Sequence, residues 1–485
     1  MTKLSSLLLP LFIGVHSIIA ALVDLSEGFC RSYKFGSNIA NNVLYLNGLD
    51  GGLIPADGDA STNLASIDDY LVQLDLTRKF SVDVGSYYRM SLIDPAIPKL
   101  KDQALWSSQD NSTLYCYGGR GVSNTSADNG IWTYKTAEKT WQLQQASVRP
   151  VRLVKGAYVN APRIQSAYWI GGYQSNDTSL AIGSELIFAK GMIQLNTTTG
   201  ELKELDSPFP GVQQGALVYV PVGELGILVF MGGEVPSVTS EVGAKINYTP
   251  NSWNYVQVYD IASGKWFNQT TSGLAIEQRT EFCAVVLHDE SSSSYQIYVL
   301  GGGTFSSTKA LSDVSYLSIP SFKWYQAASL DEPRMTLTCE AYGRQIFGIG
   351  GRKARYDDAR AGCYTMPAFL YDTKVESIVT TFDPALVDYS IPSATKKDIE
   401  DSPFPSTWAD PDLESLFPPN ATSSNTLLPT PFNYNSKNEI PVGAIVGGVI
   451  GGVAADGGTP ESSVGQQSKD RKDLKMVTIP NLNFQ

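Results

Sequence analysis

Two histidines, His16 and His288, set the first limit on what this chain can catalyse. A copper-radical centre needs a tetragonal set of imidazole and phenolate donors, and a single histidine cannot supply its pair of imidazoles. His16 falls in the apolar N-terminal stretch read as a leader, so His288 stands alone. It sits in a hairpin-like stretch, where a surface turn residue is the plainer reading. A Ser or Cys triad would rest on the same side chain. With 48 Asp and Glu residues, a glycosidase carboxyl pair stays open by number, yet no pair stands out by motif or spacing. Gly301-Gly302-Gly303 is not followed by Gly-Lys-Ser/Thr, so it is no phosphate loop. No sialidase-type Ser-x-Asp-x-Gly-x-Thr-Trp repeat occurs, and no metal or cofactor is expected.

The arginines are the remaining candidates. Arg149 and Arg152, Arg279 and Arg334 each stand just before a stretch read as a strand. If Arg152, Arg279 and Arg334 occupy equivalent places in a closed ring, their charges converge and favour an anionic ligand. The plainer alternative is that each ties down a loop carbonyl or a neighbouring carboxylate. Arg120 and Arg352, directly after glycine doublets, are less specific.

The elements that would position these residues repeat along the chain. Tyr295 to Gly302 reads YQIYVLGG: a strand rich in β-branched and aromatic residues, stopped by two glycines. A second strand, Val314 to Ile319, and Trp324 follow. The same unit recurs as LYCYGG at Leu114, AYWIGG at Ala167, ILVFMGG at Ile227 and IFGIGG at Ile346, with a weaker copy, VLYLNGLDGG, at Val43. The doublets are Gly118-Gly119, Gly171-Gly172, Gly232-Gly233, Gly301-Gly302 and Gly350-Gly351, with Gly52 closing the weak copy. Successive second glycines are 67, 53, 61, 69 and 49 residues apart. A period near fifty with variable insertions is that of kelch repeats, one four-stranded propeller blade each. The expected fold is all-β, a six-bladed propeller over residues 22–392, with seven blades as the alternative. Inner strands are expected at Phe282 to Asp289, Gly215 to Val220 and Leu337 to Tyr342, and Trp141, Trp266 and Trp324 are expected to fill wedges between blades.

Outside the repeats the composition changes. Lys3, an apolar run from Leu7 to Val15 and small residues at Ala20 and Ala21 read as a signal peptide over 1–21. Residues 393–440 read as a Pro/Ser/Thr-rich stalk. An apolar glycine-rich run over 441–455 is too short to span a bilayer, and 456–485 reads as a disordered tail. Sequons at Asn111, Asn124, Asn176, Asn196, Asn268 and Asn420, with a further one at Asn247 weakened by Pro250, suit a glycosylated secreted or cell-surface protein. A formal net charge of -12 gives no electrostatic case for nucleic-acid binding. Of five cysteines, Cys339 and Cys363 flank the last glycine turn and are expected to pair. Cys116 is expected to be a buried free thiol, while the pairing of Cys30 and Cys283 stays open.

The chain resembles fungal kelch-repeat, galactose-oxidase-like ectodomains. The residues carrying this are FCRSY at Phe29, GALVYVPVGELGILVFMGG at Gly215, VQVYDIASGKWFNQTTSG at Val256, RTEFCAVVLHDESSSSYQIYVLGGG at Arg279 and DVSYLSIPSFKW at Asp313. The likeness covers residues 28–392 and continues weakly through IPVGAIVGGVIGG at Ile440. It implies a signal peptide, a propeller, a Ser/Thr/Pro stalk and one transmembrane helix, and it brings no established activity to carry over. It departs from the pattern at NGLDGG in the first repeat and after Ala455, where the membrane-like run stops. The expected function is a monomeric, non-catalytic module binding an extracellular glycan or protein at the propeller mouth. A carbohydrate-active enzyme using channel carboxylates is the alternative.

Overall fold

In the computed structural model, which describes residues 25, 29–33, 35–53, 65–121, 130–145, 152–242, 246–355 and 363–418, six four-stranded antiparallel blades follow one another along the chain, the last two extended by further strands into sheets of five and seven. Blade 1 comprises Gly36–Ala40, Val43–Asn47, Tyr70–Asp75 and Arg89–Leu92. Blade 2 comprises Leu100–Ser107, Thr113–Gly121, Gly130–Lys135 and Thr140–Gln145. Blade 3 is Ala157–Ala161, Ser166–Ile170, Met192–Asn196 and Leu202–Leu205. Blade 4 is Ala216–Val220, Ile227–Met231, Tyr255–Asp260 and Lys265–Thr270. Blade 5 is Cys283–His288, Tyr295–Leu300, Val314–Ile319 and Lys323–Ala327. Blade 6 is Met335–Tyr342, Gln345–Arg352, Ala368–Asp372 and Ser377–Val379. The first strand of each blade touches the first strands of the blades before and after it, and that of blade 6 touches that of blade 1, so the ring closes with six blades.

The second strands are buried on both faces. Ser166–Ile170, Ile227–Met231 and Tyr295–Leu300 have every residue buried, because each blade is sandwiched between two others. The aromatic wedges lie where expected. Trp324 is 2% exposed and packs 5.4 Å from Trp253. Trp266 packs 4.9 Å from Tyr259, and Trp141 packs 5.2 Å from Tyr134.

The glycine doublets join blades. The N–H of Gly119 donates to the Leu153 carbonyl at 2.9 Å, Gly172 to Val212 at 2.7 Å, Gly233 to Arg279 at 3.0 Å and Gly302 to Arg334 at 2.7 Å. Each bond runs from one blade to the residue just ahead of the next blade's inner strand. Gly171 shows why glycine is needed: at φ +67° a Cβ would lie 2.0 Å from the Val212 carbonyl oxygen. Blade 1 solves the problem with Gly48, at φ +78°, not with Gly51-Gly52. A Cβ there would sit 2.2 Å from the Leu100 oxygen. Gly51 and Gly52 instead belong to a strand, Asp50–Leu53, paired with Phe29–Tyr33.

Three features close the ring. Phe29–Tyr33 runs antiparallel to the second strand of blade 6, with Ser32 opposite Gly351. Thr381–Phe382 pairs with Phe80–Ser81 beside blade 1. Cys30 is bonded to Cys363, with Cα atoms 4.3 Å apart. The expected Cys339–Cys363 pair is thereby corrected: the N-terminal strand brings Cys30 to the blade 6 loop. Cys339 points toward blade 5 and bonds Cys283 across 5.6 Å between Cα atoms. Cys116 is free and buried, with Asn47 Nδ2 donating to its Sγ at 3.3 Å.

The expected start of the stalk at 393 is also corrected. Residues 383–418 fold back over blades 6, 5 and 4. Helix α1, Ser393–Asp401, hydrogen-bonds through Asp398 to Lys323 and Tyr325, both at 2.7 Å. Helix α2, Pro411–Ser415, places Leu413 in the core with Phe322, while Trp408 and Phe417 stack 5.4 Å apart beside it. Aromatic and leucine side chains spaced between the prolines give this stretch enough apolar surface to dock. The signal peptide, Arg149, Asn124, Asn420 and all of 419–485 lie outside the described residues. Among the described residues no helix is long and apolar enough to cross a membrane.

Candidate functional site

The strand order makes the two faces of the ring unequal. Links between first and second strands are short: 41–42, 108–112, 162–165, 221–226, 289–294 and 343–344. They share one face with α1 and α2. The second strands all end, and the third strands all begin, on the opposite face, and the stretches of sequence between them are mostly long: 48–69, 122–129, 171–191, 232–254, 301–313 and 353–367. Long connections on a rigid frame are where recognition usually resides.

On that face the channel mouth is rimmed by a backbone motif. Asp102, Lys155, Gln214, Glu281 and Thr336, one in each of blades 2 to 6, all have φ between +57° and +59°. Each lies two residues after the position whose carbonyl meets the preceding blade's glycines. Their peptides form a relay around the rim. Gln214 N–H donates to Lys155 at 2.8 Å, Glu281 to Gln214 at 2.9 Å and Thr336 to Glu281 at 2.7 Å.

In this register Arg279 and Arg334 are equivalent, whereas Arg152 is one residue out of step, its place being held by Leu153. All three are buried, at 6%, 2% and 6% exposure for Arg152, Arg279 and Arg334. Nη1 of Arg279 donates to the Gly301 carbonyl at 3.1 Å, and Nη1 of Arg334 donates to Gly350 at 2.7 Å. Arg279 also grips both oxygens of Asp313 at 2.7 Å, and Arg334 lies 3.6 Å from the centroid of the Tyr364 ring. For Arg279 and Arg334 the expected ligand-binding ring is therefore corrected. Each guanidinium clamps the glycine turn of its own blade, and what it holds is protein.

The rim carries paired charges instead. Asp102 meets Arg120 at 2.9 Å and Glu281 meets Arg352 at 3.3 Å. Glu234 accepts from Gln213 Nε2 at 2.7 Å and from Gln214 Nε2 at 2.6 Å. On the outer rim between blades 3 and 4, a cleft of about 690 Å³ is lined by Phe188, Lys190, Phe209, Pro236 and Val238.

Inside the channel three blades converge. Ser37 on the inner strand of blade 1 donates its hydroxyl to Glu340 Oε1 of blade 6 at 2.7 Å. Its N–H donates to the Tyr158 hydroxyl of blade 3 at 3.3 Å. Glu340 keeps some accessibility along the channel, but its surroundings are protein, and desolvation pushes its pKa up to about 7, against the Ser37 bond, which lowers it. Burial and the Glu340 charge raise the Tyr158 pKa. Sequence reasoning missed this group. The signal was legible in MTLTCEAY, where one acid interrupts an otherwise uncharged inner strand.

The other candidates are structural. His288 stacks on Tyr295 with ring centroids 4.3 Å apart, and its Nδ1 meets the Ser294 carbonyl at 3.0 Å. Burial pushes the Cys116 thiol up to about 12, which leaves it protonated. Among the described residues no group of three or more His, Cys, Asp or Glu side chains is arranged to hold a metal ion. Asn176, Asn247 and Asn268 are exposed; Asn111, in a bend, and Asn196, at the end of a strand, are half-buried.

No family model matches the chain. It is 26% identical over 373 residues to a kelch repeat-containing protein of the fungus Arthroderma benhamiae, covering 66% of this chain and 53% of the relative. The chain thus spans about half the length of the curated relative it matches. Among solved structures, YjhT is similar over 73% of this chain and 98% of its own, with a TM-score of 0.51 and 13% identity. At that identity the likeness concerns the fold alone.

Proposed function

We propose, taking as premise that the chain is a kelch-type six-bladed propeller, that it is an extracellular recognition module whose long-loop face holds a protein ligand. The observation carrying this reading is the asymmetry of the faces: long loops surround the mouth, whereas the opposite face is made of short links, with α1 and α2 packed against part of it. A rim of paired charges and satisfied backbone groups suits a polar surface that discriminates partners by complementarity. Two disulfides support folding in an oxidising compartment. The leader at 1–21 and the sequons are consistent with export. A glycan ligand fits the same face and is an outcome of the test below.

The enzyme alternative receives less support. Besides Glu340 the inner strands carry one acid, Asp102, held by Arg120 at the rim, and no carboxylate acts on Glu340. A glycosidase needs two carboxyls flanking one bond. The test presents the purified full chain to secreted proteins and cell-wall glycans. Leu180→Asp and Phe305→Asp alter exposed apolar residues on the loop face; Leu225→Asp and Val375→Asp alter the opposite face. Binding lost only with the first pair supports the reading, and retention of a glycan assigns the ligand class. Binding lost only with the second pair, or turnover of an oligosaccharide, overturns it.

A further inference from the structure

Three stretches of the loop face frame one concave site, off the axis of the ring and on its outer rim. The end of the strand Glu185–Phe188 with the residues after it, the link 207–211 between blades 3 and 4, and residues 236–239 of the blade 4 loop enclose the cleft of about 690 Å³. That size accommodates a few side chains of a bound segment. Its walls are set before anything binds. Prolines at 208 and 210 fix φ on either side of Phe209, whose ring lies edge-on to Trp266 at 5.6 Å. Phe188 is 6% exposed and packs between Tyr173 at 5.7 Å and Tyr248 at 6.3 Å. The Phe188 N–H donates to the Thr239 carbonyl, and the Ser237 N–H to that of Asn247, both at 2.9 Å. These contacts hold the walls apart, so a ligand meets a preformed site and does not have to order it.

The chemistry of the lining is one-sided. Pro208, Phe209, Pro210, Pro236 and Val238 all leave apolar surface open to solvent. Among the described residues Lys190, which is exposed, is the single charged side chain of the lining. It stands there in a chain whose formal net charge is -12. The polar remainder is three hydroxyls, and no carboxyl or carboxamide side chain lines the cleft to accept from the hydroxyls of a sugar. Apolar walls beside one ammonium complement a ligand that carries an apolar group next to a carboxylate.

We propose that this cleft is a peptide-binding site, which takes an apolar side chain of an extended partner segment while Lys190 pairs with an aspartate or glutamate beside it. Burial of the apolar side chain between the proline and phenylalanine walls supplies most of the affinity. The exposed ammonium adds a smaller, salt-dependent share and selects against basic segments. The proposal rests on the reading of the loop face as a recognition surface, and adds where on that face the partner sits and what it carries.

A random nonapeptide library displayed on phage and selected on the immobilised full chain tests it. Enriched peptides should place an acidic residue beside a leucine, isoleucine or phenylalanine, and fluorescent synthetic copies should bind in anisotropy titrations. Lys190→Glu should weaken them ~3- to 10-fold, and the gap should narrow at high salt. Val238→Asp should weaken them by ~10-fold or more. Pro208→Asp, on the other wall, takes its place should Val238→Asp fail to fold. Phe305→Asp, in blade 5, should bind them as the wild type does. No enrichment, a consensus without an acid, or unchanged binding by the cleft variants overturns the proposal. So does a dimer of this chain, or a bound cell-wall glycan in place of peptides, that the same variants abolish. Peptides lost with Phe305→Asp and kept by the cleft variants overturn the cleft but leave the loop-face reading standing. Peptides lost only with Leu225→Asp and Val375→Asp overturn both.

Discussion

Arg279→Ala separates a structural clamp from a ligand clamp. The guanidinium donates four hydrogen bonds: to the Glu277 carbonyl at 3.1 Å, to Gly301 at 3.1 Å and to the two Asp313 oxygens at 2.7 Å. Breaking a buried ion pair from one side costs about 3–5 kcal/mol, because the partner is left uncompensated. Asp313 keeps 31% exposure and can be rehydrated, which moves the expectation to the lower end, about 3 kcal/mol. An exposed, ligand-binding arginine would cost about 0.5 kcal/mol or less. Denaturant unfolding of wild type and variant reads this difference as a lowered midpoint at unchanged m-value. Arg279→Lys should fall between them, since an ammonium replaces the charge but not the fork. A loss under about 1 kcal/mol for Arg279→Ala, together with loss of an anionic ligand, would refute the clamp.

Glu340 makes stability depend on pH with a definite sign. Its folded pKa of about 7 lies above the ordinary 4.5, so the folded state binds the extra proton; stability present below pH 4.5 is lost as pH rises through 7. At about 1.4 kcal/mol per pKa unit the loss is about 3 kcal/mol, and Glu340→Gln should exceed wild type by that order at pH 8 and match it near pH 4.5 in urea titrations. A wild type that is more stable at pH 8 than Glu340→Gln would contradict the assignment. Leu413→Ala removes a fully buried contact between α2 and the blades, with an expected cost of about 2–5 kcal/mol confined to that docking. Limited proteolysis should then cut within 402–418 and spare the blades; unchanged resistance there would show that α2 does not depend on Leu413.

The propeller was legible because its signals are local. A strand ending in two glycines is written in eight consecutive residues, and five of the six blades carry it. The sixth, blade 1, was misread by three residues. Leu49 stands where the other blades have the second glycine, and the later Gly51-Gly52 imitates the doublet while serving another strand. The site was less legible because it depends on contacts between blades. Which of Cys30, Cys283, Cys339 and Cys363 meet is decided by which inner strands and loops are neighbours in the ring. Proximity in sequence pointed to Cys339–Cys363, and ring adjacency decided otherwise. The arginines illustrate the same gap: counting back from a strand missed the offset of Arg152, and burial became visible only once the next blade was in place. Residues 393–418 were read by their prolines, whereas Trp408, Leu413 and Phe417 determine where they go.

The Cys30–Cys363 bond, spanning 333 residues, turns most of the molecule into a macrocycle. Five blades and the two inner strands of the sixth lie within that covalent loop. A protease that cuts one peptide bond anywhere inside it, even in a connection between blades, creates new termini but releases no fragment. The nicked chain stays one molecule, and its blades remain interlocked by the glycine-to-carbonyl bonds on either side of the cut. Two cuts in separate loops are needed before any piece can leave, and Cys283–Cys339 holds blades 5 and 6 together even then. Resistance to dismemberment is thus a property of the chain's connectivity, separate from how tightly any single blade is folded.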